Sequence, residues 1–205
     1  SCLKTILNIL RSNAKFHRKK TNINKCFVID NRDPVIAHIN TCNKSNNVKA
    51  VSTYDFKTLY TSIPHNQLKH SLASTIRSAF NSRRKKFISV NRNKASLTNE
   101  RKSSSFSLSI QQLNESINYL IDQSIITYKG EVFRQRIGIP MGTNCAPYMA
   151  NLFLHTYETK FVDQLVNTNH SHTAKLIANM LRYHDDCIIF NDGDSFGNHR
   201  KEIYP

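Results

Sequence analysis

The chain has 205 residues, of which 39% are hydrophobic, and its formal net charge is +15. This length predicts one domain, or one domain with part of another, that can bury a core. No apolar run approaches the roughly 20 residues of a membrane span, and no secretory signal is recognisable. Five scattered cysteines without a C-x-x-C pair argue against a disulfide framework or a structural zinc site, and they favour a reducing compartment.

The positive charge lies in one half of the sequence. Residues 1–102 contain 21 Lys and Arg residues and four acidic residues, which gives a net charge of +17. Residues 103–205 contain eight Lys and Arg residues and ten acidic residues, which gives a net charge of −2. Binding to phosphates releases condensed counterions, so a nucleic acid is the expected partner of the basic half. A basic, soluble surface without a specific partner is the alternative.

The first elements in chain order are short. Apolar runs in residues 4–10 and 26–39 are interrupted by Asn, Asp and Pro, and residues 41–47 read as a polar loop. Residues 48–54 alternate apolar with polar side chains, which predicts a half-buried strand that runs directly into Asp55.

An amphipathic helix and a basic segment follow. Leu68, Leu72, Ile76 and Phe80 recur every four residues, which predicts a helix with Asn66 as its N-cap. Residues 83–105 contain the run RRKK and few apolar residues, so we predict a basic loop or insertion. A nucleic-acid contact and a solvated charged face explain this segment equally well.

The remaining elements mix helices and strands irregularly, which predicts the α+β class. Helical spacing covers residues 109–126, and residues 125–134 predict a hairpin around the dipeptide Lys129-Gly130. A helix is expected from Pro147 to about residue 165, and His170 and His172 are interpreted as loop histidines. Two short strands, 180–183 and 187–190, flank an acidic pair.

Three carboxylates are the candidate chemical centre. Asp185 and Asp186 are adjacent within an apolar stretch, and Asp55 ends another predicted strand. If the two strands are neighbours in one sheet, the carboxylates converge, and a cation must neutralise them. Oxygen ligands select Mg²⁺ or Mn²⁺, and a two-ion site of this kind catalyses phosphoryl transfer. An exposed acidic turn without a metal is the alternative.

Two further fragments accompany the acids. Tyr60 follows Asp55 by five residues and could lie under the sugar of a nucleotide, although a plain core aromatic is the alternative. Gly138 and Gly142 permit close backbone approach, and Pro140 stiffens the segment between them. This segment could lie against a template–nucleotide pair, or it could be a tight turn before a core helix.

These fragments together resemble the reverse transcriptases of Penelope-like retroelements, which are relatives of telomerase catalytic subunits. The stretch DFKTLYTSIPH resembles motif A of that family, FRQRIGIPMGTNCAPYMANLFLHTYE resembles its motif B region, and RYHDDCIIFNDGDSF resembles motif C. KEIYP, at the end of the chain, matches what usually follows. Their order and spacing agree over most of the chain.

The resemblance implies a role for each matching residue. Asp55 and Asp185 would bind two Mg²⁺ or Mn²⁺ ions with the main-chain carbonyl of Phe56, and Asp186 would support them. Tyr60 would be the sugar gate. The remaining implied positions lie near the nucleotide or the primer and template: Gly138, Pro140, Met141, Gly142 and Tyr183.

The implied fold is the palm of a right-hand polymerase with partial fingers and no thumb. Residues 1–47 would belong to the fingers, and residues 48–205 to a palm core with a basic insertion around 81–105. Because the sequence ends at Pro205, we expect a fragment or a truncated copy. Candidates for triphosphate binding in the fingers are Lys15, Arg18, Lys19 and Lys20.

The implied activity is RNA-directed DNA polymerisation, with an RNA template, a DNA primer and deoxynucleoside triphosphates as partners. We expect no membrane partner, the oligomeric state does not follow from the sequence, and an intracellular, nuclear location is an expectation from the resemblance. A catalytically inactive remnant that binds nucleic acid through the basic half is the main alternative. A metal-dependent nuclease is a weaker one, since no further acidic or histidine cluster of nuclease spacing accompanies the three acids.

Overall fold

The computed structural model describes residues 2–46, 50–91, 94–101, 105–139, 142–191 and 195–204. The described helices are α1 Cys2–Thr21, α2 Asp33–Ser45, α3 Leu59–Ser62, α4 His65–Arg83, α5 Ile110–Asp122, α6 Ala146–Asn167, α7 Ser171–Ile177 and α8 Ser195–Ile203. The described strands are β1 Val51–Asp55, β2 Phe87–Asn91, β3 Lys94–Thr98, β4 Phe106–Ser109, β5 Ile125–Tyr128, β6 Glu131–Arg134, β7 Leu181–Tyr183 and β8 Asp186–Phe190. All named strand pairs are antiparallel, and this mixture of helices and antiparallel sheets agrees with the predicted α+β class.

The chain divides into two compact units. Unit one contains the residues up to 13 together with 58–153, and unit two contains 14–57 together with the residues from 154 onward. The predicted assignment of 1–47 to fingers and 48–205 to palm stays a prediction. Among the described helices, none combines the length and apolarity that a membrane span requires.

Helices α4 and α5 pack against each other in unit one. The predicted stripe of α4 is confirmed, because Leu68, Leu72, Ile76 and Phe80 are all buried. The predicted N-cap at Asn66 is wrong, because the helix begins at His65 and the extended residue Pro64 is its N-cap residue. The fixed φ of proline is compatible with the start of a helix. Helix α5 begins with a capping box between Ser109 and Gln112.

Two sheets lie in unit one. Strands β3, β2 and β4 form the first, so the prediction of a loop over residues 83–105 is wrong where residues are described. Apolar side chains that alternate along β2 and its neighbours supply a buried face, which the surrounding charges obscured in the sequence. Strands β5 and β6 form the predicted hairpin, in which Lys129 and Gly130 both have positive φ, as a tight two-residue turn requires.

The sheet of unit two has the order β1-β8-β7. One of its faces covers a core that contains Phe161, Ile177, Cys187, Ile189 and Phe196, with further side chains from the same unit. This arrangement joins the strand that precedes Asp55 to the strands that flank the acidic pair. The first two residues of the predicted strand over 48–54 lie outside the described residues.

Three sequence-based interpretations of unit two and its surroundings need correction. The interrupted apolar run over residues 4–10 lies within the long helix α1. Helix α2 extends through residues 41–45, so the prediction of a polar loop there is wrong. A proline in the first turn starts α2, and none of its side chains is buried, so hydrophobic periodicity gave no signal. His172 lies in α7, so its interpretation as a loop histidine is wrong, whereas His170 lies in the connection between α6 and α7, as interpreted.

Candidate functional site

Asp55 and Asp186 face each other across two neighbouring strands. Strands β1 and β8 pair antiparallel, and Asp55 is the direct register partner of Asp186. Directly opposite residues of an antiparallel pair place their side chains on the same face of the sheet. The two acidic segments therefore lie on adjacent strands, which is the condition for convergence of Asp55 with Asp185, but the residue directly opposite Asp55 is Asp186.

Asp185 lies in the turn of the β7–β8 hairpin rather than in a strand. His184, the first turn residue, has a φ of 55°, in the left-handed region. The amide of Phe56 donates a hydrogen bond of 3.2 Å to the carbonyl oxygen of Asp185. This bond fastens the turn to the residue that follows Asp55, so the backbone holds all three acids at one end of the sheet.

The acidic end of the sheet is open to solvent. Asp55 and Asp186 are exposed and Asp185 is half-buried. Water therefore weakens the electrostatic repulsion between the carboxylates. The folded protein can hold them close together without a bound cation. The burial that the apolar neighbours suggested applies to Cys187, whose side chain lies in the core, and burial raises the pKa of its thiol to about 12.

The number of carboxylates at this end of the sheet bears on which divalent metal ion they fit. In the described part of the chain, no three or more His, Cys, Asp or Glu side chains are already gathered around one ion position. Mg²⁺, however, binds through one or two carboxylates and takes its remaining ligands from water and substrate phosphates. Asp55 and Asp186 on one face, with Asp185 beside them, fit a Mg²⁺ site of this incomplete kind.

A cavity of about 750 Å³ lies beside the acids in unit two. Asp55, Asp186 and Tyr183 line one part of it, and Arg32 and Val35 line another. Its walls combine carboxylates, a cation and apolar side chains. Such a mixture suits a ligand that has both a charged and an apolar part.

A buried ion pair supports the hairpin from the core side. Arg182 and Glu158 are both fully enclosed, and the Arg182 Nε donates to the Glu158 Oε1 at 2.6 Å. The Arg182 Nη1 donates to the carbonyl oxygen of His184 at 2.9 Å, and the hydroxyl of Tyr204 donates to the Glu158 Oε1 at 2.9 Å. Arg182 thus connects α6 and the segment after α8 to the turn that carries Asp185.

Electrostatics keep the Arg182 guanidinium charged in the folded protein. Burial by itself lowers the pKa of Arg182, but the charge of Glu158 and its hydrogen bond outweigh burial and raise the pKa. Burial, together with the charge of Glu158, raises the pKa of Tyr204. The sequence analysis did not predict that Arg182, Glu158 and Tyr204 interact. An Arg within an apolar strand and a Glu within an apolar helix were the available signals.

Tyr60 and Gly138 lie together in unit one. The amide of Ile139 donates to the carbonyl oxygen of Tyr60 at 2.6 Å, and the amide of Gly138 donates to the carbonyl oxygen of Ile63 at 2.8 Å. His65 Nε2 lies 2.8 Å from the carbonyl oxygen of Gly138. The two sequence fragments that carried the predicted nucleotide-binding residues are therefore one structural element.

The predicted site residues divide between the two units. Unit two contains Asp55, Phe56, Tyr183, Asp185 and Asp186, and unit one contains Tyr60, Gly138 and Gly142. Tyr60 is half-buried and Tyr183 is exposed, with its ring centroid 4.4 Å from that of His184. The remaining two predicted residues, Pro140 and Met141, lie outside the described residues.

Comparison with known proteins gives a similarity of fold without a close relative in sequence. No protein-family model matches the chain, and no curated protein matches its sequence. Solved structures do match it. The apo telomerase of Candida tropicalis, truncated from its C-terminal domain, aligns with a TM-score of 0.60 and 18% identity over 98% of this chain and 35% of that chain.

Two further telomerase structures contain a fragment of telomeric RNA. The Candida tropicalis complex has a TM-score of 0.64 and 19% identity over 100% of this chain and 30% of that chain. The Candida albicans complex has a TM-score of 0.62 and 13% identity over 97% of this chain and 32% of that chain. The chain therefore has the fold of part of telomerase, and it spans about a third of the length of each of these structures.

Proposed function

We propose that this chain is the fingers–palm core of a reverse transcriptase, an RNA-directed DNA polymerase of a Penelope-like retroelement. The observation that carries the proposal is the register of Asp55 with Asp186, with Asp185 fastened beside them by the Phe56 amide. The similarity of fold to telomerase supports the same class. The partners would be an RNA template, a DNA primer and deoxynucleoside triphosphates.

The proposed reaction is the attack of a primer 3′-hydroxyl on the α-phosphate of a deoxynucleoside triphosphate. The new bond from oxygen to the α-phosphorus replaces the bond to the β-phosphate, pyrophosphate leaves, and the hydroxyl proton passes to water. Two bound Mg²⁺ ions would activate the hydroxyl and neutralise the charge that develops on the phosphates. Asp55 and Asp185, with the Phe56 carbonyl, would hold them, and Asp186 would support the site. The protein's own contribution is to position these groups on a fixed backbone, which is the main source of catalysis in phosphoryl transfer.

The element of Tyr60 and Gly138 would supply nucleotide selection. The Tyr60 ring would lie under the sugar and exclude a 2′-hydroxyl, the group that distinguishes a ribonucleotide from a deoxynucleotide. Gly138 to Gly142 would approach the nucleotide and the template base, and Tyr183 would lie near the primer end. The hydrogen bonds from residues 138 and 139 to the Tyr60–Ile63 segment support a common function for these fragments.

Metal-dependent nucleotide binding tests the proposal. Binding of a deoxynucleoside triphosphate is measured with and without Mn²⁺, for the wild-type chain and for the Asp55→Asn and Asp185→Asn variants. We expect saturable binding that requires Mn²⁺ and weakens by at least about tenfold in both variants. The Glu115→Gln variant, which neutralises a carboxylate on α5, should bind as the wild type does. Equal binding by all four proteins, or binding that ignores Mn²⁺, would contradict the proposal.

A nucleic-acid-binding protein without catalysis is the second candidate function. It is favoured by the charge of +17 in residues 1–102. In that case, an RNA strand would bind with a steep dependence on salt, while deoxynucleotide binding would not depend on Mn²⁺. The two functions therefore separate in the same set of measurements.

A further inference from the structure

The sheet β3-β2-β4 of unit one has two chemically different faces. Register pairs Ile88 with Leu97 and Leu108, and these three side chains belong to an apolar face that buries Ile88 completely. Ser89 pairs with Ser96 and Ser107 on the opposite face. We call this second face the hydroxyl face; its described strand residues are Phe87, Ser89, Asn91, Lys94, Ser96, Thr98, Ser107 and Ser109.

A row of serines crosses the hydroxyl face from strand to strand. Ser107 Oγ donates to Ser89 Oγ at 3.2 Å, and Ser89 Oγ lies 2.5 Å from Ser105 Oγ. Ser96, at the other side of Ser89, is exposed. Hydroxyl groups donate hydrogen bonds to phosphate oxygens, and they do so without regard to the base that the phosphate carries.

Two cations lie at this face in the described part of the chain, and the segment that forms the sheet is rich in basic residues. Lys94 lies on it and is exposed, and the guanidinium of Arg101 lies over the Phe87 ring at 5.0 Å from its centroid. Residues 83–109 contain eight Lys and Arg but one acidic residue, Glu100. None of the described strand residues on the hydroxyl face is acidic.

We propose that the hydroxyl face binds the phosphate backbone of a nucleic-acid strand, at a contact separate from the carboxylate site. Charge complementarity selects the occupant, because a polyanion releases counterions when it meets clustered cations. Ser89 is buried and its hydroxyl is bonded to its neighbours, so the exposed Ser96 is the serine that adds a donor for the phosphates. Arg101 over Phe87 adds a flat surface for a base. Contacts to phosphates do not depend on the base, so we expect this binding to vary little with sequence. This contact goes beyond the proposed polymerase chemistry and does not require it.

Fluorescence anisotropy with a short labelled single strand of mixed sequence, as RNA and as DNA, tests the contact over a series of KCl concentrations. The face variant removes Lys94 of the hydroxyl face, Arg101 over Phe87, and Lys86, the exposed residue immediately before β2, by Lys86→Gln, Lys94→Gln and Arg101→Gln. The matched control removes three exposed cations elsewhere on the chain: Lys44→Gln, Lys129→Gln and Lys175→Gln. Both have the same net charge, and circular dichroism verifies that both are folded.

We expect the face variant to bind about tenfold more weakly at low salt, and the slope of log K against log salt to fall by about 2, as the loss of three phosphate contacts requires. The control should change affinity less than about twofold. A second variant, Ser96→Ala with Thr98→Val, should weaken binding without a change in the slope. It also keeps the test valid if the charge variant fails to fold.

Other outcomes would overturn the proposal. Equal weakening by the face variant and the control would mean that net charge alone binds the strand. Displacement of the strand by poly-glutamate at the same concentration of charge would indicate an acidic protein as the partner. Mn²⁺-dependent binding of a deoxynucleoside triphosphate is also measured for the face variant, and it should equal that of the wild type. That result separates this contact from the proposed catalytic function, which the nucleotide-binding experiment tests on its own.

Discussion

Gly138 touches the backbone of Tyr60 so closely that no larger residue fits. A Cβ built on Gly138 would lie 2.5 Å from the Tyr60 carbonyl oxygen and 2.8 Å from the Thr61 Cα. The φ of Gly138 is +84°, a value that side chains rarely adopt. Both the space and the conformation therefore require glycine, and the position of the Tyr60 segment depends on it.

The first prediction concerns this contact. Gly138→Ala should lower the free energy of unfolding by at least about 2 kcal/mol, because left-handed strain adds to a clash with backbone atoms. Gly130→Ala is the matched control, since Gly130 has a φ of +83° but no atom within 4 Å of its Cβ. Its cost should be about 1 kcal/mol, from strain alone. Urea unfolding measures both, and equal losses would show that the close contact has no energetic weight.

The second prediction concerns the ion pair behind the hairpin. Arg182→Met leaves the Glu158 carboxylate buried without its charge partner and should destabilise the protein by about 3–5 kcal/mol. The double variant Arg182→Met/Glu158→Gln removes both charges while keeping an acceptor for Tyr204. It should be more stable than Arg182→Met alone. Strictly additive losses in the double-mutant cycle would contradict this coupling.

A solvent-accessible pair serves as the comparison. Lys69 and Asp122 lie 2.6 Å apart, but their side chains retain 23% and 43% of their exposure. Lys69→Met should therefore cost no more than about 1 kcal/mol. The same urea titration measures it beside Arg182→Met.

The third prediction concerns pH. Burial lowers the pKa of His155 to about 4, although the charge of Glu158 acts in the opposite direction. Protonation then favours the unfolded chain, whose histidine has its ordinary pKa near 6.5. Stability is complete above about pH 6.5 and falls as the pH decreases to 4, by about 3 kcal/mol in total.

The His155→Gln variant isolates this effect from the titration of carboxylates. Its free energy of unfolding should decline less than that of the wild type between pH 7 and 4, and the difference between the two curves should open below about pH 6.5. Parallel curves would mean that His155 accepts a proton in the folded protein at its ordinary pKa.

The fourth prediction tests the proposed sugar gate. Tyr60→Ala should reduce the preference for deoxynucleotides over ribonucleotides on the order of ten- to a hundredfold, measured as the ratio of kcat/KM values in primer extension. Tyr60→Phe keeps the ring and should keep the preference. A Tyr60→Ala variant that discriminates as well as the wild type would remove Tyr60 from nucleotide selection.

Regular patterns made some elements predictable from the sequence. The four-residue spacing from Leu68 to Phe80 identified α4, and Lys129-Gly130 identified the turn of the β5–β6 hairpin. In both cases, local side-chain periodicity or turn chemistry specifies the backbone. Apolar residues on both sides of the acidic pair predicted the two strands that flank it. The pairing of these strands with the strand before Asp55 was a condition for the carboxylates to share a metal ion, and no local pattern predicted it.

Long-range and mixed signals were not predictable in the same way. Charged residues on both sides of β2 and β3 concealed the alternation at Ile88 and Val90, so a sheet was taken for a loop. The polar sequence of α2 lacks a buried stripe, and only its proline marks a helix start. The partnership of Arg182 with Glu158 joins residues 24 positions apart, and it depends on a packing that single-sequence periodicity does not contain.

The main chain of Arg182 has one more consequence. Its amide donates to the carbonyl oxygen of Phe27 at 2.8 Å, and its carbonyl oxygen accepts from the amide of Ile29 at 2.8 Å, while its side chain reaches the turn carbonyl of His184. The hairpin is thereby anchored both along its edge and from below. Local opening of the hairpin would have to break this anchor. We therefore expect the Arg182 amide to be among the slowest to exchange with deuterium, and the turn that carries Asp185 to stay fixed relative to β1.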